Sequence, residues 1–294
     1  MPAARLATLL IAGVAALAGL AAGGVHLVSE GRLRDVPTVA PFATPIPADS
    51  ASVARGEHLA RTRGCFSCHG DQLQGRDFSE DWPDAGTTVA PNLASLARAE
   101  DAATVERALR HGIGRDGRAL WSMPAYNFLR LRDEDVAALI AFLRARPVVE
   151  IQLPEPRLSW AIRWDLAARG GTHMPEWVRE VPPLTVDSTS DPLGAQGEYL
   201  AMTACNECHG LDLRGSSDGP PDLAIVAGYT AEEFSRLLRT GVARDGRSEL
   251  GLMSDVARNR YVHLRDDEVA ALRAFLRTLA GAPVPQGVFW RDAR

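Results

Sequence analysis

Two copies of one short motif hold the residues of this 294-residue chain whose types and spacing could do chemistry. The motif is C-x-x-C-H, at residues 65–69 and again at 205–209. Two residues between the cysteines bring both thiols to one helical turn, where each can form a thioether with a haem vinyl group, and the adjacent histidine can bind the iron. The motifs use all four cysteines of the chain. The residues predicted to attach two c-type haems and bind their irons are Cys65, Cys68, His69, Cys205, Cys208 and His209.

A zinc ribbon is the alternative interpretation of paired C-x-x-C motifs, because two such pairs can supply four thiolates. Zinc ribbons usually separate their pairs by about 15 to 20 residues, whereas roughly 140 residues separate these. A histidine directly after each pair also has no explanation in a zinc ribbon. The sequence therefore favours haem.

An internal repeat of about 100 residues surrounds each motif. Pro91-Asn92-Leu93 matches Pro221-Asp222-Leu223, and each copy then has a G-x-x-R-D-G-R segment and a methionine. The copies end in LRDEDVAALIAFLR and LRDDEVAALRAFLR, which have acidic residues in the first turn and an apolar stripe at helical spacing. The first copy carries about ten extra residues around DFSEDWPDAGTT, as expected of a surface loop. The repeat predicts two domains of the same fold.

Met123 and Met253 occupy equivalent places in the repeat and are the predicted sixth ligands of the two irons. A thioether is a soft ligand that favours ferrous iron and raises the reduction potential, which suits electron transfer. Core filling is the ordinary role of a single methionine. The second site has Ser254 where the first has Pro124, and His263 is a competing ligand there.

A second contact is predicted for each histidine ligand. We expect the carbonyl groups of Pro91 and Pro221 to accept hydrogen bonds from Nδ1 of His69 and His209, which would fix each ring. The other histidines have no histidine counterpart in the repeat, and we interpret His58, His111 and His173 as structural.

The chain begins with an uncharged, mainly apolar stretch from residue 6 to residue 29. This length can cross a bilayer core, which needs about 20 residues. A cleaved signal peptide is the alternative, with residues 16–18 as a cleavage site, but the apolar run continues well beyond them, which favours an uncleaved anchor. Arg5 indicates a cytoplasmic amino terminus.

Composition and proline content divide the chain further. A net charge of −5 excludes the basic excess typical of nucleic-acid binding. Trp160, Trp164 and Trp177 lie in a proline-rich connector and are expected to pack on the haem domains or on a partner, with core packing favoured. The expected divisions are 1–30 anchor or signal segment, 31–50 proline-rich spacer, 51–146 first domain, 147–190 connector, 191–283 second domain and 284–294 tail.

Each repeat resembles a class I cytochrome c domain, and the whole is similar to the cytochrome c subunits of membrane-bound bacterial dehydrogenases for alcohols and sugars. The resemblance is carried by DGRALWSMPAY in the first repeat and MSDVARNRYVHLRDDEVAAL in the second, and it covers most of residues 51–280. It implies a mainly α protein with two tandem domains behind a transmembrane helix, and Met123 and Met253 as axial ligands. It also implies attachment to the bacterial inner membrane with the haem domains in the periplasm. Those subunits commonly carry three haems, whereas this sequence has motifs for two.

Electron transfer between a dehydrogenase or quinol and an oxidase or a soluble carrier is the predicted function, with no catalytic residues of its own. The partners implied are a dehydrogenase subunit, an oxidase or a small cytochrome. A di-haem redox enzyme of the peroxidase or thiosulfate dehydrogenase type is the alternative, and would need one iron with an open position or a different ligand. A haem sensor is a third class, and its expected output domain has no counterpart in the sequence.

Overall fold

The computed structural model describes residues 2–216 and 219–284, and within them the chain is mainly helical. The first repeat contains α2 (Ser50–Thr62), α3 (Cys65–His69), α4 (Leu93–Ala99), α5 (Ala102–His111) and α6 (Asp133–Ala145), after the long amino-terminal helix α1 (Pro2–Arg34). The connector holds α7 (Trp160–Trp164) and α8 (Met174–Arg179). The second repeat contains α9 (Pro192–Ala204), α10 (Asn206–His209), α11 (Ala231–Thr240), α12 (Leu252–Asn259) and α13 (Asp266–Thr278).

Short strands pair in the inserted loop of the first repeat. The strand β1 (Arg76–Asp77) pairs antiparallel with β3 (Val89–Ala90). Between them, β2 (Gly86–Thr87) pairs antiparallel with β4 (Arg157–Leu158), which belongs to the connector. The inserted loop is therefore tied to the connector by backbone pairing.

A glycine sets the crossing of the first and last helices in each repeat. A Cβ on Gly56 of α2 would lie 2.0 Å from the carbonyl oxygen of Ala138 in α6. A Cβ on Gly197 of α9 would lie 2.1 Å from that of Ala271 in α13. Only glycine permits such close approach of two backbones. The repeated G-E segment before each C-x-x-C-H motif thus has a packing cause.

Each repeat buries its own core. The first core is built on Leu59, Val136 and Ile140, and the second on Leu200, Leu272 and Leu276. The apolar stripe of each closing helix faces its core, as the helical spacing predicts: Val136, Leu139, Ile140 and Leu143 in the first repeat, and Val269, Leu272 and Leu276 in the second. The cores meet at Tyr199, a residue of α9 that packs in the first core.

The opening helices of the two repeats contact each other at their carboxyl ends. Arg63 follows the last residue of α2, and its Nε donates to Oγ1 of Thr203, in the last turn of α9, at 3.1 Å. Both side chains are buried. Thr203 is the helical counterpart of Thr62, and each threonine hydroxyl donates to the carbonyl group four residues earlier.

Reciprocal contacts between equivalent residues relate the two repeats by an approximate two-fold axis. Tyr199 donates its hydroxyl to Asp135, at the start of α6, and Nε2 of His58 lies 2.9 Å from both carboxylate oxygens of Glu268, at the start of α13. Asp135 and Glu268 are equivalent residues, and both are buried. Each closing helix is thus bonded at its first turn by the opening helix of the other repeat, and His58 has the structural role expected of it.

The segment between α1 and α2 packs closely against the first repeat. The helix α1 continues to Arg34, beyond the expected boundary at residue 30, because the first proline after it is Pro37. Leu33 is buried with Leu166 of the connector, and Phe42 packs on the first core. The expected spacer of residues 31–50 is therefore packed against the first repeat and the connector.

The tryptophans of the connector divide into two groups. Trp177 packs against the second core and contacts Tyr126, with ring centroids 5.7 Å apart and the ring planes tilted by 35°. Trp160 and Trp164 are 56% and 50% exposed. Core packing, the expectation for all three, is wrong for these two because their side of α7 faces away from the protein. Of the predicted tail, 284–294, all but the first residue lie outside the described residues.

Replacing Gly56 with alanine tests the helix crossing. The added methyl would meet the backbone of α6, so we expect Gly56→Ala to lower the free energy of unfolding by about 1–3 kcal/mol. The measurement is thermal unfolding of the haem-loaded protein by circular dichroism. Gly31→Ala is the control, because Gly31 is also helical and its Cβ would meet nothing within 4 Å. Equal unfolding midpoints for the two variants would contradict the packing argument.

Candidate haem-attachment sites

Helix α3 displays the first motif on a single turn. Glycines flank it on both sides: Gly64, whose φ of 80° is in the left-handed region, precedes the helix, and Gly70 follows it. His69 is 7% exposed, and its Nδ1 lies 2.8 Å from the carbonyl oxygen of Pro91. Because Nδ1 is the donor in this bond, Nε2 is left unprotonated with its lone pair available to a metal ion.

The second motif repeats this geometry. His209, at the end of α10, is buried, and its Nδ1 lies 2.8 Å from the carbonyl oxygen of Pro221. The number of residues between histidine and proline differs between the repeats, yet the hydrogen bonds have equal length. The inserted loop of the first repeat therefore leaves the position of the Pro91 carbonyl unchanged relative to the histidine.

Two leucines form backbone hydrogen bonds that position the loops containing Pro91 and Pro221, and the sequence analysis did not identify them. Leu73 and Leu213 are buried and have φ of 61° and 62°, a left-handed conformation that is uncommon for leucine. The carbonyl of Leu73 accepts from the amide of Leu93 at 2.9 Å, and that of Leu213 accepts from Leu223 at 3.0 Å. Each proline is two residues before such an amide. The available signal was the leucine that follows each motif histidine by four residues.

Burial dominates the electrostatics of both motifs. It raises the pKa of the Cys65 thiol to about 12 and that of Cys205 to about 11. It also lowers the pKa of His69 and His209, and this effect exceeds the opposite effect of their hydrogen bonds to the proline carbonyls. Both imidazoles are therefore neutral at neutral pH, the form that binds metal.

The predicted methionine ligands lie on the cores that also contact the motifs. Met123 is partly buried and packs on the first core, as do Cys65 and Phe66. Met253 is partly buried and packs on the second core, which includes Cys205. Met123 lies in an irregular segment, whereas Met253 is the second residue of α12.

Different residues fix the two methionine segments. Pro124 follows Met123. Ser254, in the place of that proline, is buried and donates its hydroxyl to the carbonyl of Ser248 at 2.9 Å while accepting from the amide of Leu250 at 3.0 Å. The serine thus restrains the turn by hydrogen bonds where the first repeat uses a proline ring.

The remaining histidines lie away from the two motifs or are exposed. His263 is exposed on a short 3₁₀ turn, Tyr261–His263, between α12 and α13. Nε2 of His111 is 3.3 Å from a carboxylate oxygen of Glu106 in its own helix. His173 is buried in the connector at the start of α8. These placements agree with structural roles for His111 and His173.

The two motif turns face each other across the interface between repeats. Arg260 donates from Nε to the Ser67 hydroxyl at 3.0 Å and from Nη1 to the Glu207 carboxylate at 2.9 Å. Ser67 and Glu207 occupy the same position of their respective motifs. A Cβ on Gly64 would lie 2.3 Å from Cζ of Arg260, so the guanidinium lies directly against the first turn. One side chain therefore joins the two haem-attachment turns.

A reciprocal contact lies on the other side of the axis. The Tyr126 hydroxyl donates to the carbonyl of Glu207 at 3.5 Å, and Nδ2 of Asn206 donates to the carbonyl of Tyr126 at 3.5 Å. Tyr126 belongs to the 3₁₀ turn Ala125–Asn127, which lies between Met123 and α6, as Arg260 lies between Met253 and α13. Each motif turn is therefore covered by the segment that follows the methionine of the other repeat.

These features fit a covalently held porphyrin iron at each motif. Both cysteines lie on one turn, a neutral buried imidazole presents one nitrogen, and a backbone carbonyl orients the ring. No cluster of three or more histidine, cysteine, aspartate or glutamate side chains suited to a metal ion occurs among the residues that the structure describes. The donor set thus favours haem over zinc, and a protein with this fold and these sites is of the covalent-haem, electron-carrying class.

Comparison with known proteins identifies the family. The cytochrome c family profile matches residues 53–146 and 194–280, and the chain belongs to this family. The resemblance, the mainly helical fold and the two tandem domains predicted from the sequence are confirmed. Membership also implies covalently bound haem c.

Individual relatives agree with this assignment. The chain is 28% identical to the gluconate 2-dehydrogenase cytochrome c subunit of Pantoea cypripedii, over 83% of this chain and 63% of that protein. It is 30% identical to the cytochrome c subunit of the quinone alcohol dehydrogenase of Gluconobacter oxydans, over 80% and 56%. A diheme cytochrome c-type protein of Cereibacter sphaeroides is 28% identical, over 78% and 86%. The chain spans about three fifths of the length of the first two relatives.

Proposed function

We propose that this protein carries two covalently bound haems c and passes single electrons between them. The observation that carries the proposal is the meeting of the two attachment turns, which Arg260 joins through Ser67 and Glu207. Electron exchange falls steeply with distance, so two redox centres attached at adjacent turns exchange electrons readily. The di-haem relative of similar length supports the count of two.

The residues of each repeat supply attachment, ligation and orientation. Bound haem supplies an iron that alternates between the ferric and ferrous states. The cysteine pairs, Cys65 with Cys68 and Cys205 with Cys208, hold it by thioethers, and His69 and His209 each provide one ligand. The carbonyls of Pro91 and Pro221 hold the imidazole planes through the Nδ1 hydrogen bonds.

Met123 and Met253 would each supply the second protein ligand to the iron of their repeat. Their support is equivalent placement in the two repeats and their packing on the same cores as Cys65 and Cys205. A methionine ligand at both irons leaves no open coordination position, which favours electron transfer over the peroxidase-type alternative.

The proposed electron donor is a dehydrogenase, because several relatives are cytochrome c subunits of dehydrogenases. An oxidase or a small soluble cytochrome is the proposed acceptor. The proposed location is the bacterial inner membrane, with the haem domains in the periplasm. Its support is α1, which is long and apolar enough to cross a bilayer by length and composition.

Purification of the tagged full-length chain from bacterial membranes tests the haem count and the partner. We expect the mass of the chain to exceed that of its polypeptide by two haems, and a dehydrogenase subunit to purify with it. A Cys205→Ser, Cys208→Ser variant is the matched control and should keep one haem. A wild-type mass with one haem would overturn the count, and isolation from native membranes without any dehydrogenase would overturn the proposed donor.

Replacing Met123 with alanine tests the ligand assignment. Loss of a thioether should lower the reduction potential of one haem, within the range of about 0.8 V over which axial ligands set haem potentials. The measurement is a redox titration combined with electron paramagnetic resonance of the ferric protein, and Met253→Ala should alter the other haem. Met202→Ala, a core methionine near the second motif, is the control and should leave both spectra unchanged. An unchanged spectrum in Met123→Ala would contradict ligation.

Substitution of Arg260 tests the contact between the attachment turns. Arg260→Gln removes a positive charge and loosens the bond between the turns, so we expect slower electron exchange between the haems and lower reduction potentials for both. Flash photoreduction followed by absorbance measures the exchange. Arg258→Gln is the control, because Arg258 is two residues away, half exposed and paired with Asp255. Identical rates and potentials in the two variants would contradict a role for Arg260.

A further inference from the structure

The connector brings two exposed tryptophans next to the end of the amino-terminal helix. Arg163 of α7 donates to the Ser29 hydroxyl and to the Glu30 carboxylate of α1, both at 3.0 Å. Ser29 and Glu30 directly follow Val28, the last residue of the exposed apolar run of α1. At a rise of about 1.5 Å per residue, these contacts lie within about 5 Å of the end of that run along the helix axis.

The contacts of α1 are ordered along its length. Ser29 and Glu30 meet α7, whereas Arg32, farther from the apolar run, bonds to the carbonyl of Gly171 at 3.3 Å. Leu33 follows, and its carbonyl accepts from the amide of Ala119 at 2.6 Å. The helix α7 therefore lies on the side of the protein nearest to the apolar run of α1.

The helix α7 exposes one face that carries two tryptophans. Trp160, Ala161 and Trp164 are exposed at positions i, i+1 and i+4 of α7, while Ile162 packs against Leu33 and Leu166 on the opposite side. The helix is held firmly, because Ser159 accepts from the amide of Ile162 and donates its hydroxyl to the carbonyl of Asp84 at 2.6 Å. The indole rings of Trp160 and Trp164 are thus exposed on a helix whose backbone is held in place.

Resting on the proposed membrane anchor, we infer that Trp160 and Trp164 contact the interfacial layer of the membrane and hold the first domain against its surface. Tryptophan is enriched at this layer because its ring is apolar while its N–H is polar. The layer of headgroups on each side of a bilayer is about 5–7 Å thick, so α7 lies at its depth when α1 crosses the hydrocarbon core. The occupant that covers this exposed face is therefore lipid, in direct continuation of the surface that α1 presents to the bilayer.

Photo-crosslinking of the full-length, haem-loaded chain in phosphatidylcholine nanodiscs tests this contact. The probe is a phosphatidylcholine with a diazirine near its glycerol backbone, and crosslinked peptides are identified by mass spectrometry. We expect crosslinks both to α1 and to the segment 160–164, and we expect Trp160→Ser with Trp164→Ser to reduce those of the segment severalfold while leaving those of α1 unchanged. Leu193→Ser with Ile225→Ser, two residues of the second repeat that are about as exposed, is the matched control and should change neither.

The outcomes separate the anchor from the tryptophan contact. Absence of crosslinks to α1 would overturn the proposed membrane anchor itself. Crosslinks to α1 without any to the segment 160–164 would overturn only the tryptophan contact and would leave that face to a protein partner. Crosslinks to the segment that persist after both tryptophans are replaced would also overturn it.

Discussion

The hydrogen bond between Arg63 and Thr203 marks the place on which the rest of the structure depends. Each residue is two positions before the first cysteine of its motif, so the contact fixes how the two attachment turns lie relative to each other. Arg63 is buried, and a buried charge is costly unless its donors are satisfied. Its Nη1 donates to the Thr62 hydroxyl at 2.8 Å, and the ring of Tyr199 lies 5.9 Å from its Cζ. Those partners come from both repeats, so satisfying the charge requires the repeats to associate.

Because both repeats belong to one chain, equivalent positions on the two sides of the interface can hold different residues, which two identical subunits could not have. In an isologous pair of identical subunits, a residue on the two-fold axis faces its own copy, and an arginine there would face an arginine. Here α9 ends in Thr203 and Ala204, with no arginine in the place of Arg63, and Glu207 is the counterpart of Ser67. Arg260 consequently has one carboxylate and one hydroxyl as partners. The helices at the interface are approximately symmetric, but the charged side chains are not. This difference removes like-charge repulsion at the axis.

The sequence could predict the repeats because their chemistry is local. A C-x-x-C-H turn and a helix with an apolar stripe are each encoded within a few residues, as is the proline loop that follows. The left-handed leucines, Leu73 and Leu213, were missed because leucine rarely adopts this conformation and the tertiary structure imposes it here. Arg260 was missed for another reason. Its partners are 193 and 53 residues away in sequence, and no local pattern indicates which surfaces of the two repeats meet.

The contacts of the two proline-rich segments, before and between the repeats, were not predicted, because composition indicates how stiff a chain is and not which surfaces it contacts. A high proline content is typical of a spacer, yet Phe42 and Ile46 of the segment 31–50 pack on the first core. The connector behaves similarly. Arg130 of the first repeat donates to the carbonyls of Val181 and Pro182 at 2.6 and 2.8 Å, and Val181 is itself part of the second core. The connector is thus bonded to both repeats, as the motif turns are. A rotation of one repeat relative to the other would have to break both sets of contacts at once, so the spacing of the attachment turns is a property of the whole chain.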